Sequence, residues 1–275
     1  MTYRSLMVYL DPDHSNESAL RVTAELANRF KAQVTGVAAG VPVMPVHADG
    51  MIASSVLEVD YTQLEEALRR CESRFHAALM PVSDALQWRA AIAAPAEYLA
   101  SQARAADLII VGRSADEAGP LLNQSLDIGD IVMGAGRPVL VVPPGRTSLA
   151  PDRVLVAWKD TAEARRTIAA SLPLLKQAAD VTVVEIVAAD SDIADATGRL
   201  ADVAAWLQRH KVTAATRVEP SAGDAGSHLD LLAEQNGVDI LVAGAYGHSR
   251  LQEWIFGGVT RHLLKKSSVC TLLMH

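Results

Sequence analysis

The chain of 275 residues is half hydrophobic and 21% charged, with a formal net charge of −7. That balance suits one or two globular domains with real cores and argues against a general nucleic-acid binder, because no basic excess exists to neutralise a phosphate backbone. Cys71 and Cys270 lie far apart with no CxxC, which argues against a disulfide framework or zinc cage and for a reducing compartment. No leader pattern opens the sequence and no apolar stretch reaches the length of a membrane span, so a cytoplasmic protein with no membrane partner is expected.

In chain order, Ser5 to Leu10 (SLMVYL) reads as a buried strand that ends at Asp11, Pro12 and Asp13. Helical spacing follows from Ser15 to Lys31, with Ala19, Val22, Leu26 and Phe30 inward. Gln33 to Ala39 is a second strand, and Gly40 to Ser55, with Pro42 and Pro45, a loop over the sheet edge. Tyr61 to Leu79 is expected as a helix with Leu64, Leu68, Cys71 and Phe75 on one stripe. Leu86 to Ile92 is a strand, Ala96 to Ala105 a helix, and Asp107 to Val111 (DLIIV) a strand. Leu126 to Met133 is a helix and Arg137 to Val142 (RPVLVV) a strand.

Pro143 to Asp152 is rich in proline, glycine and small polar residues and reads as a linker. The pattern then restarts. Strands are expected at Arg153 to Trp158, Val181 to Ala188, Val212 to Val218, Val238 to Ala243 and Val269 to Leu273. Helices are expected at Thr161 to Lys176, Ile193 to His210, Gly226 to Gln235 and Val259 to Lys266. The two halves, of about 140 residues each, carry one order of elements, which marks an internal duplication. ADLIIVGRS at 106–114 against VDILVAGAY at 238–246 is its clearest trace, and the domains are read as 1–145 and 151–275. Alternating strands and helices argue for an α/β fold, with a helix-flanked parallel sheet in each half. Runs such as LIIV and ILVA, without polar alternation, fit strands buried on both faces. Ligands of such sheets sit at the carboxyl ends of the strands, where the strand order reverses.

One stretch carries most of the functional signal, Gly244 to Thr260, GAYGHSRLQEWIFGGVT. A strand empties into a glycine-bearing loop, and the loop into a helix start. Glycines let the backbone approach a ligand without a Cβ in the way, and a helix start offers unpaired N–H groups and a positive dipole end to phosphate. Thr260 adds a hydroxyl in the first turn. Two residues separate Gly244 from Gly247, nine separate Gly247 from Gly257, and Gly258, Val259 and Thr260 follow. This spacing resembles the nucleotide-binding signature of the universal stress protein family. There the same glycines are followed by a small hydroxyl residue. Gly258 stands where that family has serine, so one phosphate hydroxyl is missing. The loop is not a Walker A loop, since no Gly-Lys-Ser/Thr closes it. The other reading is a glycine-rich turn inherited with the fold and now empty.

The resemblance covers nearly the whole chain. It implies two fused universal stress protein domains, each doubly wound with a five-stranded parallel sheet in the order 3-2-1-4-5, a nucleotide-binding alpha-hydrolase-like fold. It implies ATP as the cofactor of those members that bind nucleotide, with Mg2+ only alongside the nucleotide. The residues it points to here are Gly244, Gly247, His248, Gly257, Gly258, Val259 and Thr260. It also implies that terminal strands pair. RPVLVV and VCTLLM would be apolar edges if left bare, so an intramolecular pseudo-dimer is expected, with a homodimer as the further option.

The N-terminal half lacks the glycine loop. Gly112, Gly119 and Gly129 remain, Ala115 falls where the second glycine would be, and Asp127 and Asp130 at a helix start repel a phosphate. The family's first strand ends in an acid that contacts the ribose or base. Asp11 stands there in the first half and Lys159 in the second. Lys159 is read either as a phosphate contact or as a solvated loop charge. Asp160 is expected to cap the following helix, with Glu163 as its partner. His248, Ser249 and Arg250 are read either as phosphate donors or as a polar loop. Asp11, Asp13 and His14 are read as turn and cap chemistry in preference to a metal site. Cys71, Cys270, Trp158, Trp206 and Trp254 are read as core, with Trp254 in the glycine loop.

The function expected is a cytoplasmic stress-response protein that binds ATP or another adenine nucleotide in its C-terminal half. It would act as a sensor or interaction module and not as an enzyme. The alternatives are a nucleotide-free scaffold for a protein partner and a slow ATPase, for which the sequence offers no base and no metal ligands.

Overall fold

The computed structural model describes residues 2–42, 54–114, 126–188, 190–221, 223–246 and 258–275, with backbone alone at 54–60 and 190. Two aspartates set the frame of both halves. Asp107 precedes β4 (Leu108–Gly112), and its Oδ2 accepts hydrogen bonds from the main-chain N–H groups of Arg4 (2.7 Å) and Ser5 (3.0 Å). Asp239 precedes β9 (Ile240–Gly244) and does the same for Asp152 (3.2 Å) and Arg153 (3.0 Å). Each clamp fixes the register of a first strand, β1 (Ser5–Tyr9) or β6 (Arg153–Ala157), against the fourth. Leu6 lies beside Leu108, and Val154 beside Ile240. The runs LIIV and ILVA are buried throughout, as strands covered on both faces require.

One compact unit spans Arg4–Arg137 and Pro144–Ser148. It contains β1, α1 (Glu17–Phe30), β2 (Gln33–Gly40), α2 (Ser54–Leu79), β3 (Leu86–Ile92), α3 (Pro95–Gln102), β4 and α4 (Ile128–Gly134). Its strands run parallel in the order β3-β2-β1-β4. The other unit comprises Leu149–His275 together with Pro138–Pro143 and the first three residues. It contains β5 (Val139–Val142), β6, α5 (Ala162–Leu175), β7 (Asp180–Val187), α6 (Ile193–Arg209), β8 (Ala215–Pro220), α7 (Ala225–Gln235), β9, α8 (Gly258–Lys266) and β10 (Cys270–Met274). Here β8-β7-β6-β9-β10 run parallel, the 3-2-1-4-5 order, and β5 pairs antiparallel with β10 through Val141 and Thr271. The right-handed rule for parallel crossovers assigns the helices of the outward steps to one face and those of the return steps to the other, and α1 packs on α2, α3 on α4 and α7 on α8.

Several element boundaries differ from the sequence expectation by two or more residues, and two of them do so for one reason. Lys211 (φ 66°) and Gly237 (φ 59°) take the left-handed conformation after α6 and α7. Val212 N–H then bonds Leu207 O (3.0 Å), and Val238 N–H bonds Ala233 O (2.9 Å). These valines close helices, so β8 and β9 begin two or three residues later than their apolar runs suggest. Another is α2, which begins at Ser54 and not Tyr61. Serines and valines have weak helix propensity, so the sequence carries little sign of a helix start there. Most of the expected loop from Gly40 to Ser55 lies outside the described residues. Among the described residues, no helix is long and apolar enough to cross a membrane.

Candidate functional site

In the C-terminal unit, β6 leads toward β7 and β9 leads toward β10, so the chain diverges at their shared carboxyl end. Ala157 lies beside Ala243, which brings Trp158 and Lys159 level with Gly244 and Ala245. Lys159 is exposed. Gly247, His248 and Gly257 lie outside the described residues, as do Ser249, Arg250 and Trp254. The chain returns at Gly258, the exposed first residue of α8, with Val259 half-buried behind it.

The structure gives two of the predicted residues partners within the protein. A Cβ at Gly244 would stand 2.6 Å from Ala164 N and 2.9 Å from the Glu163 carbonyl carbon. The first turn of α5 therefore rests directly on the end of β9, and packing alone requires this glycine. Thr260 is 5% exposed, and its Oγ1 accepts a hydrogen bond from Tyr246 N–H at 3.4 Å. Tyr246 itself has φ 58°. The hydroxyl thus ties the start of the loop to the first turn of α8.

Thr161, not Asp160, caps α5. Thr161 has extended backbone, and its Oγ1 accepts from Ala164 N–H at 3.3 Å, whereas Asp160 turns away to pair with Arg165. Glu163 pairs with Arg166 at 3.0 Å and takes no part in the cap. The hydroxyl one residue nearer the helix wins because its backbone is already extended where a cap must be.

The sequence reading missed Asp224. It caps α7, accepting from Ser227 N–H and Oγ–H, both at 2.9 Å. Its Oδ1 also lies 3.4 Å from where a Cβ on Gly258 would be, beside the start of α8. Hydrogen bonds from the Ser227 main chain and hydroxyl, with nearby His262, hold its carboxyl below the usual range, so it is anionic at neutral pH. The signal was Asp-x-x-Ser ahead of a helix. Because the folded pKa is depressed, this stabilisation is present above the unfolded value and lost as pH falls through the folded one. Asp224→Ala is expected to cost about 0.5–2 kcal/mol near pH 7. The gap from wild type should begin to narrow in urea titrations as pH falls below about 4, and close only at still lower pH.

Trp158 is buried as expected, but its indole Nε1 has no hydrogen-bond partner among the described residues. A buried donor left unpaired costs about 1–3 kcal/mol.

At the matching end of the N-terminal unit, Asp11 Oδ1 accepts from Asp13 N–H (2.9 Å) and lies 3.1 Å from His14 Nδ1. Asn16 Oδ1 accepts from Asp11 N–H at 2.8 Å. This is turn chemistry, and no group of three His, Cys, Asp or Glu among the described residues could hold a metal. Asp127 caps α4 through Gly129 N–H at 2.7 Å, which fills that helix start with a carboxylate. Ala115 and Gly119 lie outside the described residues. Both cysteines are buried, and burial pushes the Cys71 thiol up to about 11. A larger open cleft of about 780 Å3 lies at the opposite, amino ends of β6 and β7. Of its arginines, Arg217 pairs with Glu219 and Arg153 donates to Asn236 O at 3.3 Å.

Residues 151–275 match the universal stress protein family model. The C-terminal half is a universal stress protein domain. Across both halves, the chain is similar in structure to a universal stress protein from Archaeoglobus fulgidus DSM 4304. The TM-score is 0.70 at 14% identity, over 98% of this chain and 95% of that one. It is also similar to a functionally unknown protein from Pseudomonas aeruginosa PAO1, with TM-score 0.61 at 16% identity, over 99% and 92%. At these identities the likeness establishes the fold alone. No sequence among curated proteins matches the chain.

Proposed function

We propose that the universal stress protein domain at 151–275 binds an adenine nucleotide, ATP first, and reports its presence to a protein partner as a cytoplasmic stress sensor rather than as an enzyme. One observation carries this reading. A glycine-bearing chain leaves β9 where β6 and β9 diverge, and Thr260 in the first turn of α8 accepts from Tyr246 N–H at 3.4 Å, so the exposed start of that helix stands beside the end of β9. Main-chain N–H groups there would take phosphate, with Lys159 as a flexible counter-charge. Asp224 beside Gly258 would repel a bare triphosphate, so Mg2+ would accompany the nucleotide and screen that carboxylate.

Thermal unfolding tests this. A ligand that binds only the folded state must raise stability, by about 2.7 kcal/mol at a hundredfold excess over Kd. ATP with Mg2+ is expected to raise Tm, ATP with EDTA to raise it less, and Gly247→Trp to abolish the shift. Ala115→Trp should leave it intact. No shift at millimolar ATP would sink the reading.

A second reading, a nucleotide-free scaffold, draws on the packing role of Gly244 and the inward-turned Thr260, neither of which needs a ligand. It expects no shift and a stable protein partner. A slow ATPase would announce itself by steady ADP release.

A further inference from the structure

Counted from the two aspartate clamps, Trp158 occupies the place that Leu10 holds in the N-terminal half, and Glu185 the place of Ala38. Leu10 and Ala38 are fully buried and apolar. Their counterparts are polar. The β6–β7 ladder pairs Ala157 with Val184, and Trp158 N–H continues it to Val184 O at 2.7 Å, bringing Trp158 level with Glu185 on one face of the sheet. Glu185 is 7% exposed and is held by Arg199 of α6 at 2.6 Å. Trp158 is 9% exposed, and nothing among the described residues accepts from its Nε1–H. Packing does not call for an N–H at this position, since leucine fills it in the twin. Buried donors are ordinarily paired. The unpaired donor also stands in the half that carries the glycine stretch, level with Gly244.

We infer that Trp158 is a ligand-facing donor whose indole N–H bonds an acceptor atom of the heterocyclic base, while main chain near Gly258 takes the phosphates. This rests on the nucleotide reading above and adds the contact that reads the base. The base is the part of the ligand that Trp158 would recognise. Adenosine therefore engages it, and ribose 5-phosphate does not.

The test uses the full chain, 15N-labelled, with Trp158→Phe assigning the indole signal. Titration with ATP·Mg2+ and with adenosine is expected to shift the Trp158 indole proton downfield, and ribose 5-phosphate to leave it in place. Trp158→Phe and Trp158→Leu should each weaken ATP binding roughly tenfold, the worth of one hydrogen bond. The ligand-free Tm of Trp158→Phe should be unchanged or higher, because an unpaired donor has gone. If wild type binds ATP but the indole signal stays still and Trp158→Phe binds equally well, the inference is overturned and the nucleotide reading survives. If wild type binds none of the three probes, both fall.

Discussion

Gly244→Ala is expected to destabilise the C-terminal unit by about 1–3 kcal/mol, toward the upper end of what one added methyl costs in a packed interior. The new Cβ would sit 2.6 Å from Ala164 N and 3.0 Å from Ala164 Cα. Both are main-chain atoms, so no rotamer change can relieve the contact, and α5 must move as a body. Moving it strains the Thr161 cap, because Ala164 N–H is the group that cap satisfies. The matching change in the N-terminal half, Gly112→Ala, meets only the Ala19 methyl, at 3.4 Å, among the described residues and should be nearly neutral, within about 0.5 kcal/mol. Urea midpoints of the two variants, at unchanged m, measure the contrast. The result also separates two explanations of this glycine. A loss of stability without ligand means packing requires it. Intact stability with lost nucleotide binding would mean that only the ligand does.

The second large effect lies in the N-terminal unit. Phe75→Ala should cost about 3–5 kcal/mol, the range for an aromatic ring removed from a core that cannot collapse. Phe75 is fully buried on α2, its ring centroid 5.5 Å from that of Trp88. Both rings lean on Gly36 of β2, where a Cβ would meet Trp88 at 2.6 Å and Phe75 at 2.7 Å. Gly36 is thus the floor that lets two rings approach the sheet. Gly36→Ala should also destabilise, and pairing it with Phe75→Leu should cost less than the two changes added together, because the smaller side chain makes room. Strict additivity in a double-mutant cycle would refute this account of the glycine.

Much of the fold was legible in the sequence because its strongest signals are local. LIIV and ILVA have no polar alternation, and both proved to be strands buried on both faces. Boundaries were less legible where one residue type serves two ends. Val212 and Val238 look like strand starts, yet each closes a helix through a left-handed residue before it, and no apolar count distinguishes the two roles. The point where β6 and β9 diverge was legible in outline, since the alternation of strands and helices fixes where the strand order reverses. Glycine spacing does not tell which contact made each glycine necessary. Gly244 looks like a ligand glycine, and the first turn of α5 gives it a second reason to be there. That the Trp158 N–H has no acceptor among the described residues was illegible for a different reason. Sequence reports that an indole is apolar enough to bury, and only coordinates report whether its one donor finds an acceptor.

The strand β5 is written ahead of the linker, yet its hydrogen-bonded neighbour β10 is written at the very end of the chain. Cutting between them would therefore not release two finished halves. The downstream fragment would display a raw row of main-chain donors and acceptors along β10, and the upstream one would carry the strand that fits it. Such fragments are natural candidates for complementation, sticky apart and reunited on mixing, which makes the linker a place to split this protein as a reporter rather than a place to trim it.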